Sequence, residues 1–233
     1  MRPTILLFDI DGTLVTTPGV GRRALDRAFL ARYGRDAGLA GRSFLGRTDR
    51  AIVRAGLAAI EEAVIGDAAE AAIDAVLADY VVLLADEVAR VEGFHLHPGV
   101  ANALEAAAED PRTALGLGTG NVREGARVKL ERVGVDHLFG FGGFGCDHED
   151  RGEILRLGAG RGAERLGVPL ARCRVVVIGD TPLDVAAARA IGAESLAVAT
   201  GGHAAEDLRE SGATHVFDDL AAPGALSVLL GRA

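Results

Sequence analysis

A short apolar run that ends in two carboxylates is the feature of this chain that most constrains its fold. Residues 4–14 read TILLFDIDGTL, in which residues 5–8 have the composition of a buried strand and Asp9 and Asp11 follow at once. Because such a strand is held in a core, its carboxyl end places both acids at the rim of a sheet, where open α/β sheets bind ligands. Two carboxylates so close repel each other unless a cation lies between them or one is protonated. The stretch therefore predicts a metal site or acid–base chemistry.

Strand and helix patterns alternate from residue 93 onward. Apolar strand patterns occur at 113–117, 138–146, 174–178, 195–199 and 214–217. Helical patterns separate them, at about 98–109, at 122–133, after the polar loop 147–153 up to about 166, at 183–191 and at 205–210. This alternation predicts an α/β fold with a doubly wound parallel sheet and right-handed crossovers.

The stretch between the first strand and this alternating part is helical. Helices are predicted after Gly19 and over residues 49–65 and 67–90, and no convincing strand lies between residues 16 and 92. A lone strand is unstable, so the first strand has to join the later ones in a single sheet. The expected organisation is a core domain of residues 1–15 and 93–233 interrupted by a helical cap of residues 16–92, which lies over the carboxyl ends of the strands as a lid.

Composition narrows the class of protein. The 233 residues are 49% hydrophobic and 25% charged, as in ordinary globular chains, and the formal net charge of −8 disfavours nucleic acid and anionic membranes as partners. No apolar run approaches the ~18 residues of a membrane helix. The N-terminal run is cut by Asp9 and lacks a signal-peptide cleavage site, so a cytoplasmic location is expected. Cys146 and Cys173 fit no CxxC pattern, which argues against zinc.

Polar residues follow three of the predicted strands. They are Asp9 and Asp11 after the first strand, Thr119 and Asn121 after the second, and Asp180 and Asp184 after the fourth. A parallel sheet brings these strand ends to one edge, and an oxygen-rich group of carboxylates suits Mg²⁺ better than zinc or copper. Mg²⁺ usually accompanies a phosphate substrate, and Gly120 lets the backbone approach a ligand closely.

Taken in order, these motifs resemble those of the haloacid dehalogenase (HAD) superfamily. DIDGTL at residues 9–14, Thr119 at its strand end and GDTPLD at residues 179–184 are similar to motifs one, two and four. The helical stretch after the first motif resembles a type C1 cap, as in phosphoglycolate phosphatase-like members. The resemblance covers essentially the whole chain and implies a HAD-like Rossmannoid core with an inserted cap.

The resemblance also implies a mechanism. Asp9 is expected to attack phosphorus and form an aspartyl-phosphate, with Mg²⁺ held by Asp9, the Asp11 carbonyl and Asp180 and supported by Asp184. The Asp11 side chain is expected to protonate the leaving alcohol and later to take a proton from water. Thr119 would hydrogen-bond a phosphoryl oxygen.

Motif three departs from the family pattern, which has a lysine. This chain has Arg151 within DHEDRGE, and an arginine also supplies a fixed positive charge for phosphate. Lys129 is the alternative, since it is the only lysine in the chain, but it falls in the middle of a predicted helix. Arg151 is the preferred candidate.

Four residues are predicted to contact substrate. Gly46–Asp49 resembles the specificity loop of C1 members, so Arg47 and Thr48 are expected to bind the far end of the substrate, and Gly120 and Asn121 lie beside the phosphoryl group. The alternatives for single residues are structural: Asp184 and Thr119 are also good helix-capping residues, and Arg47 is also compatible with plain surface charge.

The predicted function is Mg²⁺-dependent hydrolysis of a small phosphorylated metabolite by a monomer or homodimer. Three alternatives stay open: a phosphomutase like β-phosphoglucomutase, a 2-haloacid dehalogenase, and a protein that binds phosphorylated ligands without turnover. Asp11 argues against the dehalogenase, which lacks the second acid of motif one. The identity of the substrate depends on cap side chains whose positions the sequence does not define.

Overall fold

The structure is a computed structural model, and it describes residues 2–36, 38, 44–60 and 66–232. The strands are β1 Thr4–Phe8, β2 Val15–Thr16, β3 His95–Leu96, β4 Thr113–Gly118, β5 Gly142–Gly143, β6 Arg174–Gly179, β7 Glu194–Val198 and β8 His215–Phe217. The helices are α1 Val20–Tyr33, α2 Asp49–Ala59, α3 Asp67–Arg90, α4 Val100–Glu109, α5 Arg123–Arg132, α6 Arg151–Leu166, α7 Pro182–Ala190, α8 Ala205–Glu210 and α9 Ala225–Leu229.

Six strands form one parallel sheet in the order β5-β4-β1-β6-β7-β8, which confirms the predicted α/β class. Strand β1 is central, and its five residues are buried. Because successive side chains of a strand point to opposite faces, Leu6 and Phe8 pack into one apolar cluster, with residues of α4 and α5. Ile5 and Leu7 pack into another, with residues of α6 and α7. The sheet is therefore covered on both faces.

Helices α1 to α3 form a helical insert between β2 and β3. The insert has an apolar cluster of its own, which includes the predicted face of α1 at Ala24, Leu25, Ala28 and Phe29. Its two connections to the sheet run side by side, because β2 and β3 pair as an antiparallel ribbon with Val15 opposite Leu96. The sequence did not indicate this ribbon, since two-residue strands have too little pattern to read.

The strand predicted over residues 138–146 exists, but its predicted bounds are wrong. A 3₁₀ turn occupies Asp136–Leu138, and only Gly142–Gly143 pairs in the sheet. Phe139, Phe141 and Phe144 produced the strand-like pattern, but they pack against the apolar clusters from a glycine-rich loop. The pairing of Gly143 in the sheet requires glycine, because a Cβ at this position would clash with the carbonyl oxygen of Ile154.

Other boundaries differ less. Helix α2 ends at Ala59, and residues 61–65, where the predicted helix continues, lie outside the described residues. Helix α9 was not predicted. Among the described helices, none combines the length and the apolar composition needed to cross a membrane.

Candidate active site

The carboxyl ends of β1, β4 and β6 meet at one edge of the sheet, as their order predicts. Asp9 continues the ladder beyond β1, since its amide donates to the Ile178 carbonyl of β6 at 2.9 Å. Asp9, Thr119 and Asp180 are 5%, 0% and 0% exposed. Strands of a core thus hold these three side chains in fixed positions.

Asp9, Asp180 and Asp184 form a buried carboxylate cluster, in which one oxygen of each lies within 4.8 Å of the others. Burial, together with the neighbouring charge of Asp184, raises the pKa of Asp180 to about 8. Burial also raises the pKa of Asp9 to about 6, although the positive charge of Arg151 opposes this rise. Without a cation the cluster therefore favours bound protons.

A divalent cation fits this cluster. Asp180 Oδ1 accepts a hydrogen bond from Thr13 Oγ1 at 3.0 Å, but Asp180 Oδ2 is buried and has no hydrogen-bond partner among the described residues. Asp184 Oδ1 is contacted by the guanidinium of Arg151. Space around Asp180 depends on glycine, because a Cβ at Gly201 would lie 1.8 Å from Oδ2. All the available donors are oxygens, which is the donor set that Mg²⁺ prefers.

Asp184 also starts helix α7. Its Oδ2 accepts from the Thr181 amide at 3.1 Å while Thr181 Oγ1 accepts from the Asp184 amide at 3.3 Å, a reciprocal capping box. The second oxygen of Asp184 still faces the cluster. Capping and cluster membership therefore coexist in this residue.

Arg151 is the first residue of α6 and brings a positive charge into the cluster. Its Nη2 lies 2.8 Å from Asp9 Oδ2 and 2.5 Å from Asp184 Oδ1, and the side chain is 9% exposed. Nη1 donates to the Gly46 carbonyl of the insert at 3.3 Å. Nη2 is used in the two ion pairs with Asp9 and Asp184, whereas Nε has no hydrogen-bond partner among the described residues and is available to a ligand.

Lys129 contacts the other acid of the DIDGTL motif. Its Nζ lies 2.7 Å from both Asp11 oxygens and 2.6 Å from Asn121 Oδ1. Thr17 Oγ1 and Asn121 Nδ2 also donate to Asp11, each at 2.8 Å. Burial by itself would raise the pKa of Asp11, but Lys129 and these hydrogen bonds outweigh it and lower the pKa. Asp11 is thus held as a carboxylate.

The loop after β4 joins the two halves of the site. Thr119 Oγ1 accepts from the Asn121 amide at 3.2 Å and from Asn121 Nδ2 at 2.9 Å. The Thr119 hydroxyl also hydrogen-bonds Asp9 and counteracts the rise in its pKa. One short loop therefore orients groups that contact both Asp9 and Asp11.

A cavity of about 340 Å³ separates this edge of the sheet from the insert. Asp9, Asp11, Asn121, Lys129 and Arg151 line its inner end. The insert contributes Leu25, Phe44, Ile52 and Tyr80, together with Arg22 and Arg47. This volume is at the small end of the range for ligand pockets, roughly 300–1,000 Å³.

The predicted substrate loop is divided by the structure. Gly46 and Arg47 line the cavity, but Thr48 does not, because its hydroxyl accepts from the Ala51 amide at 3.2 Å and caps α2. The loop lies directly against Gly120, whose carbonyl accepts from the Asp49 amide at 2.8 Å. A Cβ at Gly120 would lie 2.4 Å from the Arg47 carbonyl oxygen, so this contact requires glycine.

Asp49 and Tyr80 line the cavity and were not predicted to do so. Asp49 Oδ2 accepts from the Val122 amide at 2.8 Å, at the start of α5, and so joins the insert to the loop after β4. In the sequence, Asp49 has the pattern of an ordinary first residue of a helix. Its position directly after Gly46, Arg47 and Thr48 was the one indication that it lies at the site. Tyr80 lies in the middle of α3 and carries no sequence signal.

The model of the haloacid dehalogenase-like hydrolase family matches residues 3–192 of the chain. The protein therefore belongs to this family, which confirms the resemblance of its motifs. A comparison with curated protein sequences finds no match.

Solved structures share the fold along essentially the whole chain. CbbY from Rhodobacter sphaeroides, in complex with phosphate, has a TM-score of 0.68 at 22% identity and covers 98% of this chain and 99% of its own. A protein from Haemophilus somnus described as a predicted phosphoglycolate phosphatase has a TM-score of 0.67 at 18% identity, covering 100% and 98%. A hydrolase from Pseudomonas syringae has a TM-score of 0.65 at 19% identity, covering 94% and 95%.

Proposed function

We propose that the protein is a Mg²⁺-dependent phosphatase that hydrolyses a small phosphorylated metabolite through an aspartyl-phosphate on Asp9. The observation that carries this proposal is the position of Asp9, which lines the cavity, contacts Arg151 and belongs to a buried carboxylate cluster in which Asp180 Oδ2 has no hydrogen-bond partner among the described residues. The phosphate bound to CbbY in its crystal structure supports an anionic ligand for this fold.

Asp9, Asp180 and the Asp11 carbonyl would hold Mg²⁺, with Asp184 supporting it. When bound, the ion neutralises the negative charge that otherwise keeps a carboxylate away from a phosphate anion.

The residues of the chain divide the reaction into two steps. An oxygen of Asp9 forms a bond to phosphorus while the ester P–O bond breaks, and the Asp11 carboxyl gives the departing alkoxide a proton. Water then attacks the phosphorus of the aspartyl-phosphate, Asp11 takes its proton, and Asp9 and inorganic phosphate are released. A phosphate dianion beside Asp11 opposes the effect of Lys129 on its pKa, because a like charge favours the protonated acid.

Arg151 and Thr119 are placed to bind the phosphoryl oxygens. Arg151 has its Nε left over after its contacts with Asp9 and Asp184, and Thr119 is buried next to Asp9. Charge that develops on the phosphoryl oxygens is stabilised by such donors when water is excluded.

In our proposal the chain has two domains. Residues 1–15 and 93–233 form the core, and residues 16–92, which include the helical insert, form a cap over it. The apolar cluster of the insert, its paired connections β2 and β3, and its contacts over the cavity support this division. Arg47 and Gly46 line the cavity from the insert and would meet the far end of the substrate.

A phosphate-release assay on small phosphate esters tests the proposal. We expect turnover with Mg²⁺, none after EDTA, and none in Asp9→Asn, because an amide does not replace the attacking carboxylate. Asp218→Asn, at an exposed position away from the site, is the matched control and should keep full activity. Phosphate release that survives EDTA or Asp9→Asn would refute the proposal.

A further inference from the structure

The helical insert contributes to the cavity a tyrosine hydroxyl that the proposed mechanism does not use. Leu25, Phe44 and Ile52 give the insert's lining an apolar part, and Tyr80 adds a polar atom to it. Tyr80 is 1% exposed, and no described residue hydrogen-bonds its Oη. The Oη atom is not one of the fully buried polar atoms without a partner, so it opens to the cavity that Tyr80 lines. A hydroxyl that faces a cavity and has no protein partner is available to a polar group of a ligand.

The hydroxyl is held firmly at this place. The Tyr80 ring is part of the apolar cluster of the insert, packed among residues of α1, α2 and α3. Gly21 of α1 leaves room in front of the hydroxyl, since a Cβ there would lie 3.5 Å from Oη. Burial and the charges of Asp49 and Asp11 raise the pKa of Tyr80 well above its usual value, so the phenol stays neutral and both donates and accepts.

We propose that Tyr80 selects the alcohol part of the substrate, through a hydrogen bond from or to a hydroxyl or carbonyl oxygen on its carbon skeleton. This inference rests on the proposed function, because it assumes that the phosphoryl group lies against Asp9. The cavity of about 340 Å³ is at the small end of the range for ligand pockets, which favours a small carbon skeleton. The substrate class is therefore a small hydroxy- or oxo-alkyl phosphate, in preference to an unsubstituted alkyl phosphate.

Matched pairs of esters test this inference. Each pair is an ω-hydroxyalkyl phosphate of two to four carbons and the alkyl phosphate in which a methyl group replaces the terminal hydroxyl. With wild-type protein and Mg²⁺, we expect kcat/KM for the hydroxyalkyl phosphate to exceed that for the alkyl phosphate by about tenfold in at least one pair. The reason is that the methyl group of the alkyl phosphate leaves Tyr80 Oη without a hydrogen bond. In Tyr80→Phe the same ratio should fall to within about twofold of one.

The ratio is taken within one preparation, so a loss of folded protein in the variant cancels. Tyr33→Phe is the control, since Tyr33 packs on Phe29 with ring centroids 5.9 Å apart and does not line the cavity. It should keep the wild-type ratio.

The failure of this inference is distinct from the failure of the proposed function. If both esters are hydrolysed but no pair is discriminated, or if Tyr80→Phe keeps the wild-type ratio, the role of Tyr80 is overturned and the phosphatase stands. If no ester is hydrolysed, the same pairs are compared by their Kd values in calorimetry with wild-type and Tyr80→Phe protein. A Kd ratio that the substitution does not change then overturns the role of Tyr80 as well.

Discussion

Two buried cations contact the two acids of the DIDGTL motif, and they do so in different ways. Lys129 has three N–H donors and three acceptors at 2.6–2.7 Å, two on Asp11 and one on Asn121, so its capacity is used within the protein. Arg151 contacts Asp9 and Asp184 through Nη2 at 2.8 and 2.5 Å, but its Nε has no hydrogen-bond partner among the described residues. The difference indicates that Lys129 orients an acid, whereas Arg151 is available to an anionic ligand.

The two cations also come from different parts of the fold. Arg151 begins α6 and reaches the insert through the Gly46 carbonyl, while Lys129 lies near the end of α5 and contacts only core residues through its ammonium group, among those the structure describes. A substitution at Arg151 should therefore affect phosphate binding, and one at Lys129 should affect the behaviour of Asp11. Two predictions test this division, and two further ones test how the insert is joined to the loop after β4.

The largest effect is expected for Arg151→Ala. Loss of the guanidinium should lower kcat by about 10²–10³-fold and weaken inhibition by inorganic phosphate, because a fixed donor to the phosphoryl group is removed. Steady-state kinetics with phosphate as inhibitor measure both changes. Arg156→Ala, on the exposed side of the same helix, is the control, and Arg151→Lys should restore part of the activity.

Lys129→Met should reduce kcat by about 10–100-fold while the Ki for phosphate changes less than about threefold, a range set by the usual contribution of a positioned acid. The free energy of unfolding of the variant should also be lower than that of wild type by about 1–3 kcal/mol. This loss is smaller than for a fully buried ion pair, because the Asp11 side chain is 36% exposed. Urea titration measures this difference. A strong loss of phosphate inhibition here, with little loss in Arg151→Ala, would instead assign the motif-three role to Lys129.

Gly120→Ala tests the insert without touching either cation. The added methyl group meets the Arg47 carbonyl oxygen, so the insert has to move away from the loop after β4. We expect kcat/KM to fall roughly tenfold, since misplaced groups lose effective concentration. Gly160→Ala is the matched control, because a Cβ there meets nothing within 4 Å. Equal kinetics for the two variants would show that this contact has no part in turnover.

The smallest effect on turnover, less than about threefold, is expected for Asp49→Asn, whose main effect is on stability. Burial raises the pKa of Asp49 from 3.8 to about 6, so the folded state holds a proton that the unfolded state releases between these values. The stability that Asp49 contributes below pH 4 is therefore lost as pH rises through about 6.

Asparagine keeps an acceptor for the Val122 amide and has no charge to bury. At pH 8 the variant should be more stable than wild type by on the order of 2–3 kcal/mol, and at pH 4 the two should be nearly equal. Urea unfolding at both pH values measures this, with Asp218→Asn as control. A gain of the same size at both pH values would contradict the proposed cause.

The sheet was predictable where apolar strands are long and end in polar residues. Residues 4–8 and 174–179 satisfy both conditions, and the parallel order of the sheet then places Asp9 beside Asp180. The bounds of strand β5 were predicted wrongly, because three phenylalanines in a glycine-rich loop give a strand-like pattern. The ribbon β2–β3 is defined by tertiary pairing and not by local composition.

The site was predictable where its residues follow strands and less so where they lie on helices. Lys129 is eight residues past Asn121, about two turns along α5, and only the packing of that helix decides that its side chain returns to Asp11. The position of the Tyr80 side chain at the cavity depends on how α3 packs on α1. The positions of Asp49 and Thr48 differ by one residue, yet one carboxylate contacts the core and the neighbouring hydroxyl only caps its own helix.

The central place of β1 in the sheet has a consequence for how the chain is made. Strand β1 pairs with β4 and β6, with Thr4 opposite Thr113 and Arg174, and both partners follow the whole insert in the chain. Closing such large loops is slow, because contacts distant in sequence carry a high entropic cost. The apolar strand TILLF, which is followed by Asp9, therefore stays unpaired until β4 has been synthesised, and we expect it to be exposed to aggregation in the nascent chain during that time.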